Sequence, residues 1–203
     1  SSKIEVVYNP IDFKRFNFSK KNIKINIPNK YIFSITSEYQ HKNLITLIRS
    51  FNKLDKKNGY KLVIAGFMGE KVCGKYKKYF KKVENEINKN HNNILTMDYV
   101  SDQYLGYLYQ QCDLFVYPSL FEGFGMPPIE AMGFGKPTIT TKCGSLKEVT
   151  LNKAIYVNNP TDADELALLI ETTIMNLDEH IKNFEKLKNV IRKKYHPQFI
   201  ANQ

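Results

Sequence analysis

The chain has 203 residues, 42% of them apolar and 25% charged, which is enough for one α/β domain with a sizeable core. No apolar run approaches the roughly 18 residues of a membrane-spanning helix, and the first residues lack the apolar stretch of a secretory signal. The net charge of +10 comes almost wholly from lysine and suits an anionic substrate, an anionic membrane surface or nucleic acid without choosing among them.

Residues 4–8 read as a short strand that ends at Asn9-Pro10-Ile11-Asp12. Residues 13–30 are basic and irregular; Ile23, Ile25 and Ile27 alternate as in a stray strand, which Pro28 breaks. Residues 31–35 form an apolar run with the look of a buried strand, and a loop through Lys42-Asn43 follows. Leu44, Leu47, Ile48, Phe51 and Leu54 recur at helical spacing, with Gly59 as the stop. Residues 61–65 are the next strand. The Gly66-Phe-Met-Gly69 turn after it serves a close approach to a nucleotide and a plain tight turn equally well.

Tyr76, Tyr79, Phe80, Val83 and Ile87 make a second helical stripe. Its other face carries Lys75, Lys77, Lys78, Lys81 and Lys82, which read as a solvated face, with an anionic membrane contact as the minority reading. The tyrosines at this spacing read as core rather than as a nucleic-acid stacking platform. Residues 93–96 are a short strand. Tyr99-Val100-Ser101-Asp102 leads into a helix with Ser101 as N-cap and Tyr104, Leu105 and Leu108 as its buried face. Residues 113–118 form a central strand bounded by Pro118.

Downstream, residues 136–140 are a strand and Ser145-Leu-Lys-Glu148 reads as a capping box. Residues 154–157 are the last strand. Thr161 caps a helix through Leu166, Leu169, Ile170 and Ile174. A final helix through Ile181, Phe184, Leu187 and Ile191 stops at Tyr195-His-Pro197. Cys73, Cys112 and Cys143 form no CxxC pair and leave an odd count, which favours structural thiols in a reducing, cytoplasmic compartment. His41, His91, His180 and His196 lack metal-ligand spacing.

The chemistry concentrates between the central strand and the helix opened by Pro127 and Pro128. Gly123 and Gly125 let the backbone turn tightly and approach a ligand without a Cβ in the way. The prolines carry no N–H, so a backbone cradle for an anion must use Gly123, Phe124, Gly125 and Met126. Glu122 and Glu130 flank that turn. Carboxylates repel phosphate but accept bonds from hydroxyls, so the pair suits a ligand with an anionic middle and hydroxylated ends. A solvated turn residue and a helix-dipole complement are the bland alternatives.

The Glu-x7-Glu spacing around Gly-Phe-Gly resembles the donor-site signature of retaining, nucleotide-sugar-dependent glycosyltransferases of family 4, the group 1 type with the GT-B fold. The Asn9 to Asp12 turn partly matches that family's Pro-Asn-Gly-Val-Asp turn, and Lys42-Asn43 matches its Lys-Asn, whereas Thr36-Ser37 stand where Gly-Arg is expected. Strand and helix alternate from Tyr31 to Asn176, a pattern that implies a doubly wound parallel sheet with helices on both faces, Rossmann-like. The resemblance implies the same fold and one C-terminal nucleotide-sugar-binding domain over residues 1–203. Residues 1–30 would be a lead-in strand and linker-like loop, and the acceptor-side N-terminal domain would be absent.

The resemblance also implies a UDP-, GDP- or ADP-sugar as substrate, no cofactor or metal, and a glycan or lipid-linked acceptor held by the missing domain. Glu122 would face the donor sugar and the reacting centre, and Glu130 would hold the ribose. Lys42 with the backbone of Phe124 to Met126 would hold the diphosphate, and the turn at Tyr99 and Val100 would meet the base. Asp162-Ala-Asp164 matches the metal-binding DxD pattern of a different glycosyltransferase fold and is read instead as an acidic first helical turn. A non-catalytic nucleotide-sugar-binding or scaffolding module is the alternative of another class. Nucleic acid is not an expected partner, and a peripheral membrane contact goes with the lysine-rich helix.

Overall fold

The computed structural model describes residues 6–19, 27–37, 39–54, 59–69 and 74–202. Six strands form one sheet: β1 (Tyr31–Ile35), β2 (Lys61–Ala65), β3 (Ile94–Thr96), β4 (Leu114–Tyr117), β5 (Thr138–Thr140) and β6 (Ile155–Tyr156). Their spatial order is β3-β2-β1-β4-β5-β6, and every neighbouring pair is parallel. Parallel neighbours need crossovers, and α1 (Leu44–Lys53), α2 (Lys77–Asn88), α3 (Asp102–Gln111), α4 (Met126–Gly133) and α5 (Leu146–Val149) supply them. After β6 come α6 (Ala163–Met175), α7 (Leu177–Lys194) and α8 (Pro197–Ala201). This is the doubly wound arrangement, with its order reversing between β1 and β4.

The strands are apolar on both faces because helices cover both. In β1, Tyr31 and Phe33 point into one core with Phe115, Tyr117, Ile129 and Ile191, whereas Ile32 points into the other with Leu47, Ile48, Leu166 and Ile170. Ile48 is fully buried, a contribution of about 1.5–3 kcal/mol for a side chain of its size. Tyr31 adds a bond from its hydroxyl to the Leu108 carbonyl at 2.7 Å, tying β1 to α3.

Several local expectations are corrected. Val6 to Tyr8 form no strand, while Ile4, Glu5, Ile23, Ile25 and Cys73 lie outside the described residues. Helix α1 closes at Lys53, ahead of Gly59. The buried face of α3 is Gly106, Leu108 and Tyr109, with Tyr104 and Leu105 only partly covered. Ser101 does cap α3, accepting from the Tyr104 N–H.

Ser145 and Glu148 do not make a capping box: the Ser145 hydroxyl donates to the Phe124 carbonyl at 2.8 Å, and Glu148 accepts from the Tyr8 hydroxyl. Tertiary partners outbid the local ones. The cap of α6 is Asp162, which accepts from the N–H groups of Asp164 and Glu165, while Thr161 is held by Asn159. Helix α8 follows the stop at Tyr195, with Pro197 in its first turn.

Candidate functional site

The loops after β1 and β4 meet where the strand order reverses, and one residue stitches them. Asn43 adopts a left-handed backbone, φ 55°, between a 3-10 turn (Gln40–Lys42) and α1, a conformation asparagine tolerates better than most residues. Its buried Nδ2 donates to the Pro118 carbonyl at 3.0 Å and to the Pro160 carbonyl at 2.6 Å. The Leu120 N–H and the Ser119 hydroxyl both donate to the His41 carbonyl. Lys42 is thereby delivered to the end of β4.

There the Lys42 Nζ donates to Glu122 Oε1 at 2.8 Å and to the Tyr117 hydroxyl at 2.7 Å, and Tyr117 donates to the same carboxylate oxygen at 2.7 Å. Burial pushes the Glu122 carboxyl up, but the hydrogen bonds from Lys42 and Tyr117 outweigh it, and the group sits below its ordinary value. Burial, then the Glu122 charge, drive the Tyr117 phenol upward, so it is a hydroxyl donor at neutral pH.

The glycine turn follows. Gly125 has φ 90° and precedes the first residue of α4, and a Cβ there would meet Leu146 at 2.4 Å. Gly144, φ 58°, lets the loop after β5 close against the Glu122 carbonyl, which a Cβ would approach to 2.2 Å. Gly123 is different: nothing lies within 4 Å of where its Cβ would stand, and its φ is not positive. Among the described residues no acceptor is found for the backbone N–H groups of Gly123, Phe124, Gly125 or Met126.

Glu130 is on α4 but buried, at 3% exposure. Arg15 Nη2 donates to its Oε1, and the Tyr109 hydroxyl donates to its Oε2 at 2.8 Å. Burial raises the Glu130 carboxyl above its usual range, against the pull of Tyr109 and Arg15. The turn at Tyr99 and Val100 lies beyond β3, where the Gly66 N–H donates to the Asp98 carbonyl; Tyr99 is 86% exposed.

The structure brings Lys42 and Glu122 into contact, places Glu130 in a separate pair, and leaves Tyr99 apart at the edge. Tyr117, Tyr109 and Arg15 were missed as site residues. Tyr117 carried a faint signal as the last strand residue before Pro118, and Arg15 as one of few arginines. Among the described residues no three His, Cys, Asp or Glu side chains gather as a metal site would require. Asp162 is spent on capping and Asp164 pairs with Lys53.

A doubly wound parallel sheet with polar side chains at its switch point defines a Rossmann-like α/β protein, a fold whose ligands bind outside the carboxyl ends of the strands. The chain belongs to the family described as glycosyl transferases group 1, whose profile matches residues 15–194. It is 31% identical over 193 residues to the O-antigen chain mannosyltransferase RfbU of Salmonella typhimurium, covering 94% of this chain and 47% of that protein. It is 28% identical over 177 residues to the serotype-specific mannosyltransferase WbdA of Escherichia coli, covering 86% of this chain and 21% of that one.

Among solved structures, sucrose-phosphate synthase of Thermosynechococcus elongatus superposes with a TM-score of 0.84 at 17% identity, over 100% of this chain and 51% of that one. Anabaena HepE, in complex with UDP and glucose, gives 0.82 at 21% identity, over 98% and 55%. The fold is that of one Rossmann-like half of a GT-B glycosyltransferase. The chain spans about half or less of the length of these curated relatives.

Proposed function

We propose that the chain is the donor-binding half of a retaining glycosyltransferase that takes a nucleotide-diphosphate sugar. The observation that carries this reading is the meeting of Lys42, Tyr117 and Glu122 at the switch point, beside a glycine turn whose N–H groups have no described acceptor. The curated relatives named mannosyltransferases, and the neighbour solved with UDP and glucose, support the same reading.

In the proposal the diphosphate displaces Glu122 as the partner of Lys42. Lys42 and the N–H groups of Phe124, Gly125 and Met126 then stabilise the charge that develops as the bond from the anomeric carbon to the diphosphate breaks, a large term in such chemistry. Glu122, still held by Tyr117, faces the donor sugar. Glu130 accepts from ribose hydroxyls, and the backbone at Tyr99 and Val100 meets the base. The anion's charge is assigned to Lys42 and the backbone, without a metal ion or cofactor. A second domain holds the acceptor, a glycan or a lipid-linked acceptor.

The test is Lys42→Ala titrated with uridine, guanosine and adenosine diphosphates and the matching nucleosides. A charge-assisted bond contributes roughly 1.5–3 kcal/mol, about ten- to hundredfold in affinity. That loss is expected for the diphosphate and not for the nucleoside. Equal loss of both, or none, contradicts the reading.

A further inference from the structure

The pair between the exposed Arg15 and the buried Glu130 links residues 115 positions apart. Glu130 is a carboxylate on the helix that follows the glycine turn, and its side chain is 4% exposed, whereas that of Arg15 is 36% exposed. Burying the carboxylate side of an ion pair makes it a poor device for stability, since the desolvation of that charge offsets much of the attraction. Its geometry is nonetheless tightly built.

Arg15 sits in a 3-10 turn (Phe13–Phe16) that Asp12 caps by accepting from the Lys14 N–H. The Ile11 N–H donates to the Tyr195 carbonyl just upstream. Two glycines let the turn close on the helices: a Cβ on Gly106 would stand 2.2 Å from the Phe16 carbonyl, and one on Gly133 2.2 Å from the Phe13 ring. The guanidinium also lies over the Phe16 ring at 4.4 Å. On the other side of the carboxylate, the Tyr109 hydroxyl takes Oε2. Glu130 is therefore fixed at both oxygens, and each oxygen keeps a further lone pair for a hydroxyl.

We propose that Arg15 is a positioning residue for the nucleotide: through its contact with Glu130, the lead-in turn holds that carboxylate ionised and in the one orientation that accepts the ribose hydroxyls. The inference rests on the reading of Glu130 as the ribose contact. The groups that bear on the Glu130 charge are Arg15 from the lead-in turn, Tyr109 and Asp102 from α3, and Tyr117 from β4. Arg15 is the one cation among them. Burial and Asp102 oppose the charge, so removing Arg15 leaves Glu130 to take up a proton at higher pH and lose its acceptor character.

The experiment compares uridine, guanosine and adenosine diphosphates with their 2′,3′-dideoxy analogues, titrated into the chain between pH 5 and 9. For the best-bound base, wild type prefers the ribose form. Arg15→Met is expected to lower that preference about tenfold at pH 6. It should also move the midpoint of its pH dependence upward by about one unit or more, the scale on which a neighbouring charge shifts a carboxyl. Affinity for the dideoxy form stays near wild type, which also reports that the variant is folded.

Glu130→Gln should lose the preference at every pH. If Arg15→Met weakens both ligands alike, or keeps the wild-type midpoint while Glu130→Gln is selective, Arg15 does not position the nucleotide and the ribose reading survives. If Glu130→Gln leaves the preference intact, the ribose reading fails and this proposal with it. Should Arg15→Met not fold, Arg15→Lys, which keeps the charge without the fork, is expected to hold the midpoint at wild type with a reduced preference. Equal loss of both ligands in Arg15→Lys overturns the proposal.

Discussion

Glu122 and Glu130 are carboxylates eight positions apart that the fold treats in opposite ways. The hydrogen bonds from Lys42 and Tyr117 hold Glu122 low, while burial lifts Glu130. Linkage turns this into opposite slopes. A depressed folded value means stability present above the ordinary carboxylate range and lost as pH falls through it, so the margin of wild type over Glu122→Gln should shrink from pH 7 to pH 3. A raised folded value means the folded state takes the proton first, so the margin over Glu130→Gln should grow on the same descent. Urea unfolding at a series of pH values measures both; slopes of the same sign would contradict these assignments.

Gly123 makes a second case at this scale. Neither its φ nor its surroundings require glycine, so Gly123→Ala should keep fold stability within about 0.5 kcal/mol, as surface changes away from special features do. The same substitution puts a methyl group beside the proposed cradle. Nucleoside diphosphate affinity should fall at least severalfold, and a calorimetric titration with unchanged affinity would show that the ligand does not approach there.

At the level of elements, helix α3 carries a glycine in its interior where propensity alone favours alanine by about 1 kcal/mol. The Phe13–Phe16 turn decides against that preference. The added Cβ of Gly106→Ala would meet the Phe16 backbone carbonyl at 2.2 Å, and backbone cannot rotate aside as a side chain can. Overpacking of this kind costs about 1–3 kcal/mol, so the net change should be destabilising despite the helix gain, with a fall in the thermal midpoint as the readout. The turn carries Arg15, so ribose-dependent affinity should fall with it.

The loops show the same dominance of tertiary contacts. Ser145 and Glu148 have capping-box spacing, but Phe124 and Tyr8 take them, because a hydroxyl or carboxylate bonds whichever partner the packed chain places in reach. Asn43 is the converse: its left-handed backbone and its bonds to Pro118 and Pro160 set Lys42 opposite Glu122.

For the whole molecule, the proposed function makes this Rossmann-like domain one wall of a cleft. Transfer needs an acceptor hydroxyl held near the anomeric carbon, and positioning of that kind supplies roughly 7–11 kcal/mol of a barrier. The chain supplied with a donor sugar and a panel of acceptors should yield, at most, slow hydrolysis. Robust glycoside formation would place an acceptor site within residues 1–203. Donor at 100 times its Kd should raise stability by about 2.7 kcal/mol, which a thermal-shift screen of UDP-, GDP- and ADP-sugars reads directly.

The six strands, helices α1 to α4, α6 and α7, the parallel sheet and the glycine turn were legible in the sequence, whereas the strand expected at residues 4–8 does not form over Val6 to Tyr8 and the Phe13–Phe16 turn and α8 were not foreseen. Each legible feature is written in short-range chemistry: apolar runs at strand length, stripes at helical spacing, prolines and glycines at a turn. The family resemblance lay in the same turn. Which distant groups meet was not legible. Arg15 finds Glu130 across 115 positions and Lys42 finds Glu122 across 80, and no local period encodes either contact. Those pairings exist because the order reversal between β1 and β4 brings two loops together and because Gly106 and Gly133 leave room for a turn to close. Burial lifts Glu130 and hydrogen bonds hold Glu122 low, a property of the packed surroundings that residue type alone does not carry.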